Sequence, residues 1–385
     1  MTPGARIAAA IEILDSIQSG QPAELALTRW ARSSRFAGSG DRAAIRDHVY
    51  DVLRNTRSDA CLGGGDTGRS LLIGRLRAEG ADISELFNGV GHAPEPLSPT
   101  ELSAGESPQA REDIWNLPGW LADAFTQSLG ERAQATAQAL TLRAPVTLRV
   151  NTNKTNLSEA LARLQDEGIE TTENPRAETA LTITRGPRRL RNSSSYLNGL
   201  VELQDGSSQA AVAGVKGAGT ALDYCAGGGG KALALAASGW RVTAHDIDAN
   251  RMRDLPARAL RGNHEIALCA PEDIDHARTF DLVFCDAPCS GSGTWRRAPE
   301  AKWALTPEKL QDLMGMQAQV LDAAQDHVAP DGQLIYATCS VLNEENEGQV
   351  DAFLGRFPQW QVTHLQRWDV DDWGDGFFVA HLVRH

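Results

Sequence analysis

The stretch Ala221-Leu222-Asp223-Tyr224-Cys225-Ala226-Gly227-Gly228-Gly229-Gly230-Lys231 decides the fold of the domain it opens. A short apolar run ends in four consecutive glycines, and an Ala/Leu-rich segment follows. A glycine run between a strand and a helix lets a ligand approach the backbone closely and uses the helix N-terminus. The next apolar run, Val242 to His245, ends in Asp246. An acid at that point commonly accepts hydrogen bonds from a ribose diol, the plain alternative being a solvated loop acid. Loop and acid together indicate an adenosine cofactor in a Rossmann-like sheet, and both NAD and S-adenosylmethionine carry such a ribose.

Outward from this loop the alternation is regular. Strands are expected at Ala221–Tyr224, Val242–His245, Phe280–Phe284 and Leu334–Ala337, with helical stretches between them and a last strand over Gly376–Val383. That pattern predicts an α/β domain with a parallel sheet over residues 206–385. Upstream, residues 111–205 read as a small α+β unit. Its strands are Val146–Asn151 and Leu181–Thr184, with an amphipathic helix at Leu157–Glu167 between them. This β-α-β unit is too small to stand alone. Residues 93–110, rich in Pro, Ser and Glu, read as a linker. Residues 1–92 read as helices, with Ala8, Ile11, Leu14 and Ile17, then Ile45, Val49, Val52 and Leu53, at helical spacing. Phe36–Asp41 is the loop between these helices, with Ser39 or Asp41 able to cap the second one.

With 385 residues the chain is too long for one ordinary core. Its net charge of −13 argues against indiscriminate coating of nucleic acid. Two arginine clusters leave room for a local basic face: Arg29, Arg32, Arg35, Arg42 and Arg46, and Arg185, Arg188, Arg189 and Arg191. Six cysteines in such a chain do not make a disulfide framework. Without a Cys-x-x-Cys pair or a histidine pair at ligand spacing, no metal site is expected. No apolar run has membrane-spanning length and the first residues are unlike a signal peptide, so the cytoplasm is the expected location.

Two cysteines in strand-end turns carry the chemistry. Cys289 lies in Asp286-Ala287-Pro288-Cys289-Ser290-Gly291-Ser292-Gly293, after Leu282-Val283-Phe284. Cys339 lies in Tyr336-Ala337-Thr338-Cys339-Ser340, after Leu334-Ile335. In an open parallel sheet, ligands bind at the carboxyl ends of the strands. A NAD-linked oxidoreductase would leave both thiols idle. Methylating carbon 5 of a pyrimidine needs at least one, because that carbon is a poor nucleophile in the free base. A thiolate adding to carbon 6 makes an enamine-like ring able to attack a methyl sulfonium. Loss of the carbon 5 proton then lets elimination expel the thiol.

These segments resemble those of the RsmB/NOP2/Sun family of RNA 5-methylcytosine methyltransferases. Cys225–Lys231 is similar to its Cys-Ala-Ala-Pro-Gly-Gly-Lys loop, and Asp286–Gly293 fits its Asp-Ala-Pro-Cys-Ser-Gly-x-Gly segment. Arg296–Trp303, Tyr336–Ser340 with Asn343–Glu347, Leu203–Gln209, Asp375–Phe378 and Leu148–Thr152 fit further family segments. The resemblance covers residues 110–385. It implies a Rossmann-like class I methyltransferase domain, mostly parallel with a final antiparallel strand, behind the small β-α-β unit and an N-terminal all-helical domain. It implies Cys339 as the nucleophile on carbon 6, Cys289 as the thiol assisting product release, and Asp286 as a contact to the cytosine ring. It also implies that Cys225, Ala226, Gly227, Gly228, Gly229, Gly230, Lys231, Asp246 and Asp286 hold S-adenosylmethionine. Chemistry alone leaves the roles of the two thiols open. The expected partner is rRNA or tRNA and the expected state a monomer.

The N-terminal helices, chiefly Asp41–Arg54, are faintly similar to the NusB-like RNA-binding domain of some members. Departures from the family pattern are Gly228 in place of a proline, Ala232 where Thr is frequent, and no clear third cofactor acid, with Glu272 and Asp273 as candidates. A ribosome assembly factor with a vestigial cofactor site is the alternative reading. Cys225 and Cys285 read as packing residues.

Overall fold

A strand buried on both faces reads as a continuous apolar run, and Leu282-Val283-Phe284-Cys285 is one, with all four side chains buried. It forms the middle of a seven-stranded sheet in the computed structural model, which describes residues 1–274 and 278–385. By their contacts these residues form two units, Met1–Arg143 with Trp295–Ala304, and Ala144–Thr294 with Leu305–His385.

The second unit holds two sheets. The smaller contains β1 (Val146–Val150), β2 (Glu170–Glu173), β3 (Ala180–Arg185) and β4 (Val201–Leu203) in the order β2-β3-β1-β4, all neighbours antiparallel. Two of these strands, β2 and β4, escape the sequence reading. Their runs, Glu-Thr-Thr-Glu and Val-Glu-Leu, are short and partly charged. The expected β-α-β unit is therefore a four-stranded sheet in which the second expected strand, β3, pairs antiparallel with β1.

The larger sheet contains β5 (Thr220–Asp223), β6 (Arg241–His245), β7 (Ile266–Cys269), β8 (Phe280–Asp286), β9 (Val328–Thr338), β10 (Trp360–Trp368) and β11 (Phe377–Arg384). Its order is β10-β11-β9-β8-β5-β6-β7. Strands β5 to β9 pair in parallel, and β11 runs antiparallel to both of its neighbours. The mostly parallel sheet with a final antiparallel strand is thus present. The two strands missing from the sequence reading, β7 and β10, are its edges, where one half of the residues face solvent and the apolar signal is diluted. Strand order reverses at β5, between β6 and β8, which is where such sheets open a ligand crevice.

Side chains alternate across the sheet. Leu282, Phe284, Ile335 and Ala337 enter one apolar layer with Leu233 and Leu255, while Val283, Cys285, Leu334 and Tyr336 enter the other with Leu321 and Phe353.

The first unit is helical, with Pro3–Gln18, Ala23–Ser33, Ser39–Arg54, Thr56–Gly63 and Gly68–Ala78 around Ile7, Leu14, Ile45, Val49 and Leu72. At the start of the third helix Gly38 is the cap residue, and the Asp41 carboxylate accepts from the Gly38 N–H at 3.3 Å. The unit also contains the helices Arg111–Trp115, Gly119–Leu129 and Ala133–Ala139, so the contact boundary falls after Arg143 rather than after residue 110. The expected linker is tied down: Arg69 pairs with Glu101 at 2.6 Å, and Arg77 donates to the Ala104 carbonyl at 2.7 Å. Residues 295–304, expected in the sheet domain, belong here instead. Arg54 Nε donates to the Arg296 carbonyl at 2.7 Å, Lys302 Nζ to the Arg54 carbonyl at 2.8 Å, and Trp303 Nε1 to the Leu53 carbonyl at 2.9 Å. Burial first and the Arg54 charge second pull the Lys302 ammonium down to about 7.

Phe284 is fully buried at the centre of the sheet. Phe284→Ala should lower unfolding stability by about 3–5 kcal/mol through lost transfer energy and a residual cavity, read as an earlier urea midpoint for the unit that contains it. A midpoint unchanged within error would show that this strand is not central to the core.

Candidate active site

Local backbone needs explain the glycines of the first loop. Gly229 sits at φ +81°, and a Cβ there would lie 2.3 Å from Leu255 Cδ1. The loop turns from β5 into the helix Gly230–Ala237, whose start projects Lys231 back toward the strand ends. Lys231 Nζ meets Asp286 Oδ2 at 2.6 Å and lies 5.0 Å from the centre of the Phe377 ring. Burial alone would pull this ammonium down. The charge and hydrogen bond of Asp286, and then the charge of Cys339, outweigh it and hold Lys231 above its ordinary value.

The two cysteine turns leave β8 and β9 side by side. Their thiols are half-buried, with the sulfurs 3.4 Å apart. The Cys339 hydrogen bond first, and burial next, push the Cys289 thiol well above its ordinary range. The closing glycine of the first turn is a close-approach position. Gly293 N donates to the Cys339 carbonyl at 2.9 Å, and a Cβ on Gly293 would lie 2.3 Å from the Gly376 carbonyl oxygen. Cys339, Cys289, Asp286 and Lys231 are therefore one cluster.

Asp246 ends β6 and is buried. One of its oxygens accepts from Gly227 N at 2.8 Å, the other from Asp248 N at 3.0 Å, and Arg251 approaches to 3.1 Å. It fastens the glycine loop in addition to facing the crevice side of the sheet. Glu272 and Asp273, the candidates for a third acid, are exposed in the turn just after β7. Burial raises both Cys225 and Cys285, as suits packing thiols.

Several site residues were not singled out from the sequence. Asp223, the last residue of β5, is fully buried, and neither carboxylate oxygen finds a hydrogen bond among the described residues. Burial first and the charge of Asp286 second push its carboxyl up to about 7. An orphaned buried carboxyl beside a glycine loop is a polar group awaiting a donor, which suits a cofactor rich in hydroxyl, amino and cationic groups. Gln204 bridges the small sheet to the loop, accepting from Arg149 Nε at 2.8 Å and donating to the Gly230 carbonyl at 3.3 Å. Only the position of Asp223, at the strand end just before the glycines, was a signal available in the sequence.

Residues 212–383 match the family described as 16S rRNA methyltransferase RsmB/F, and residues 117–188 match its ferredoxin-like domain. Ribosomal RNA small subunit methyltransferase B of Cronobacter sakazakii is 33% identical over 291 residues, 70% of this chain and 67% of that protein. The protein of the same description from Xylella fastidiosa strain Temecula1 is 34% identical over 288 residues, 69% and 67% of the two chains. The chain belongs to the RsmB/F family of rRNA methyltransferases. Among solved structures, a methyltransferase homologue from Pyrococcus horikoshii has a TM-score of 0.62 at 25% identity, covering 75% of this chain and all of that one. NSun6 from the same organism, solved with SFG, has a TM-score of 0.61 at 18% identity, covering 69% and 98%. The second of these likenesses concerns the fold. Within this RsmB/F member, the matched region 212–383 contains the glycine loop, Asp246 and both cysteine turns.

Burial and the Asp286 charge hold the Asp223 carboxyl well above the ordinary carboxylate range, at about 7. A raised native value means that the folded chain keeps a proton the unfolded chain loses. Its contribution to stability is thus complete below about 4 and lost as pH rises through about 7. Asp223→Asn, which cannot ionise, should flatten that decline when urea midpoints at pH 5 and pH 7.5 are compared without cofactor. An identical pH dependence in the variant would show that Asp223 is ionised in the native chain.

Proposed function

We propose that this protein transfers a methyl group from S-adenosylmethionine to carbon 5 of a cytosine in rRNA, as a monomer in the cytoplasm. The observation that carries the reading is the pair of half-buried thiols 3.4 Å apart, beside the Lys231–Asp286 ion pair at the carboxyl ends of parallel strands. S-adenosylmethionine supplies a methyl group on a positively charged sulfur, an electrophile that the activated carbon 5 accepts. Cys225 to Lys231, Asp246 and Asp286 would hold it, with the unsatisfied Asp223 beneath the loop as a further acceptor.

The chain's own residues then have separate tasks. Cys339 adds to carbon 6 as a thiolate. Asp286 is held in place by Lys231 and contacts the cytosine ring. Cys289 keeps its proton through addition. After methyl transfer a base removes the carbon 5 proton, the carbon 6–sulfur bond breaks as the ring double bond reforms, and Cys289 assists that departure of Cys339. Splitting the reaction into addition and elimination lowers the barrier of each part. A base must leave its stack to reach such a crevice, and looped RNA presents bases already splayed.

The helical unit offers a local basic face despite the overall negative charge. A groove of about 450 Å³ is lined by Leu27, Trp30, Arg32, Arg42, Ile45 and Arg46, with exposed Arg29 and Arg35 on the neighbouring turns. Arg46 is partly neutralised by Glu24 at 3.1 Å. In the mid-chain cluster Arg185 pairs with Glu170 at 3.3 Å. The first cluster is therefore the better candidate for phosphate contacts.

Substitution of the two thiols separates their tasks. Cys339→Ala should abolish both methylation and any covalent link to RNA. Cys289→Ala should still form the link but fail to resolve it, leaving a protein–RNA adduct on denaturing gels that requires an unmethylated cytosine. An adduct with Cys339→Ala and none with Cys289→Ala would exchange the roles. Full activity in both variants would refute the mechanism, and RNA binding without methyl transfer in the intact chain would favour an assembly factor.

Replacing Arg32, Arg35 and Arg42 together by Ala should weaken RNA binding and reduce the slope of log affinity against log salt by about 2–3, since each phosphate contact releases counterions. Methyl transfer within a saturated complex should be unaltered. An unchanged slope would mark these arginines as ordinary surface charge.

A further inference from the structure

The Cys289 and Cys339 turns come from different strands, and the Glu345 carboxylate binds both. Glu345 is fully buried in the turn Asn343–Glu345, which follows β9. One carboxylate oxygen accepts from Ser290 N at 2.7 Å and from Gln317 Nε2 at 2.9 Å; the other accepts from the hydroxyls of Ser290 and Ser340. Ser290 and Ser340 are the residues immediately after Cys289 and Cys339. Gln317 also donates to the Pro288 carbonyl at 2.9 Å, just before Cys289. Ser292 and Ser340 share a hydrogen bond at 2.9 Å, and Ser292 Oγ accepts from Val341 N at 2.9 Å. The backbone of Glu345 is fixed in turn, its carbonyl accepting from Tyr336 Oη at 2.7 Å.

We propose that Glu345 is a positioning residue for the two-cysteine reaction: its single buried carboxylate clamps the Cys289 turn to the Cys339 turn and sets negative charge behind Cys289. The proposal rests on the reaction proposed above, yet the clamp itself is a property of the free protein. The charged and titratable groups facing the thiol pair are Glu345, Tyr336 and, toward Cys339, Lys231, which Asp286 neutralises. Behind the contributions of Cys339 and burial, the Glu345 charge adds to the rise of the Cys289 thiol. That charge favours the protonated form of Cys289, the thiol proposed to assist release. Four donors meet on this one carboxylate, and charge-assisted bonds exceed neutral ones about twofold.

Two variants of the full chain test the clamp. Glu345→Gln keeps the shape. Its amide oxygen still accepts from Ser290 N and Gln317, and its NH2 donates to hydroxyls that rotate to accept. The pH profile of Cys289 alkylation by iodoacetamide, resolved by mass spectrometry without RNA, should then move down by about one unit, a tenfold change in acidity. Glu345→Ala removes all four bonds to the carboxylate and loosens the two turns, and covalent protein–RNA adduct should accumulate at least tenfold over the intact chain, because Cys289 is held less closely against Cys339. A folded Glu345→Gln with an unmoved Cys289 profile, and no adduct in either variant, would overturn the proposal. A moved profile in a chain that never methylates RNA would reject the reaction and retain the clamp. Should Glu345→Ala not fold, the Gln profile decides alone.

Discussion

The register between β8 and β9 is the constraint on which the site depends. Cys285 lies opposite Tyr336 and Asp286 opposite Ala337, so the two strands finish level. The chain after each strand then turns over the same edge of the sheet, and the Ala287 N–H still pairs with the Ala337 carbonyl at 2.9 Å. Because side chains alternate with a period of two, a one-residue slip of either strand would swap its two apolar layers and part the thiols. The hydrophobic pattern that selects the register therefore also selects which sulfur atoms meet. Gly293 completes the arrangement. Its backbone passes so near Gly376 that only two glycines fit, and this brings the turn before β11, with Phe377, beside Lys231.

Within that geometry, charge is distributed unevenly. Buried ions are costly unless paired, and the site contains more buried carboxyl groups than it satisfies. Asp286 takes the Lys231 ammonium, Glu345 takes four donors, and Asp246 is occupied by two backbone N–H groups and Arg251. Neither Asp223 oxygen has a hydrogen bond of ordinary geometry among the described residues. Desolvation and the neighbouring Asp286 charge outweigh what Lys231 contributes, and push the carboxyl up to about 7. A binding crevice carries such an imbalance where a ligand completes it. The same reasoning distinguishes the two thiols: Cys289 has a negative neighbour behind it, and Cys339 a positive one.

Much of this was legible in the sequence because it depends on residue type at fixed spacing. A glycine run after a strand, an acid after the next strand and a Pro-Cys turn can be read without knowing their neighbours, and the structure brings the thiols, Asp286 and Lys231 together. The sheet's interior strands were readable for the same reason, their apolar runs being continuous. The edges β7 and β10 were not, since a half-exposed strand mixes polar and apolar residues. Glu345 was visible as part of a motif, but its task depends on serines from two other turns. The placement of residues 295–304 was hidden altogether. Arg296-Arg297-Ala298-Pro299-Glu300-Ala301-Lys302-Trp303 reads as a basic stretch of the family, whereas Arg296 and Lys302 are buried, the Arg296 carbonyl accepting from the Arg54 side chain and the Lys302 ammonium donating to the Arg54 carbonyl.

The departure at Gly228 has a structural counterweight. Glycine in place of proline leaves the unfolded loop with more conformations to lose, a cost of about 0.4–1 kcal/mol or more where the native backbone would accept proline. Here the Gly228 carbonyl accepts from Arg258, which also pairs with Glu202 at 3.3 Å. Glu202 belongs to β4 and binds Arg261 as well. The loop is thus held from outside by a carboxylate of the small sheet, acting through an arginine on the helix Leu255–Gly262, where a proline would have stiffened it from within. Gln204, from the same strand region, holds the Gly230 carbonyl on the other side. The small sheet is therefore part of the glycine loop's support, so a glycine at this position does not by itself indicate a decayed site.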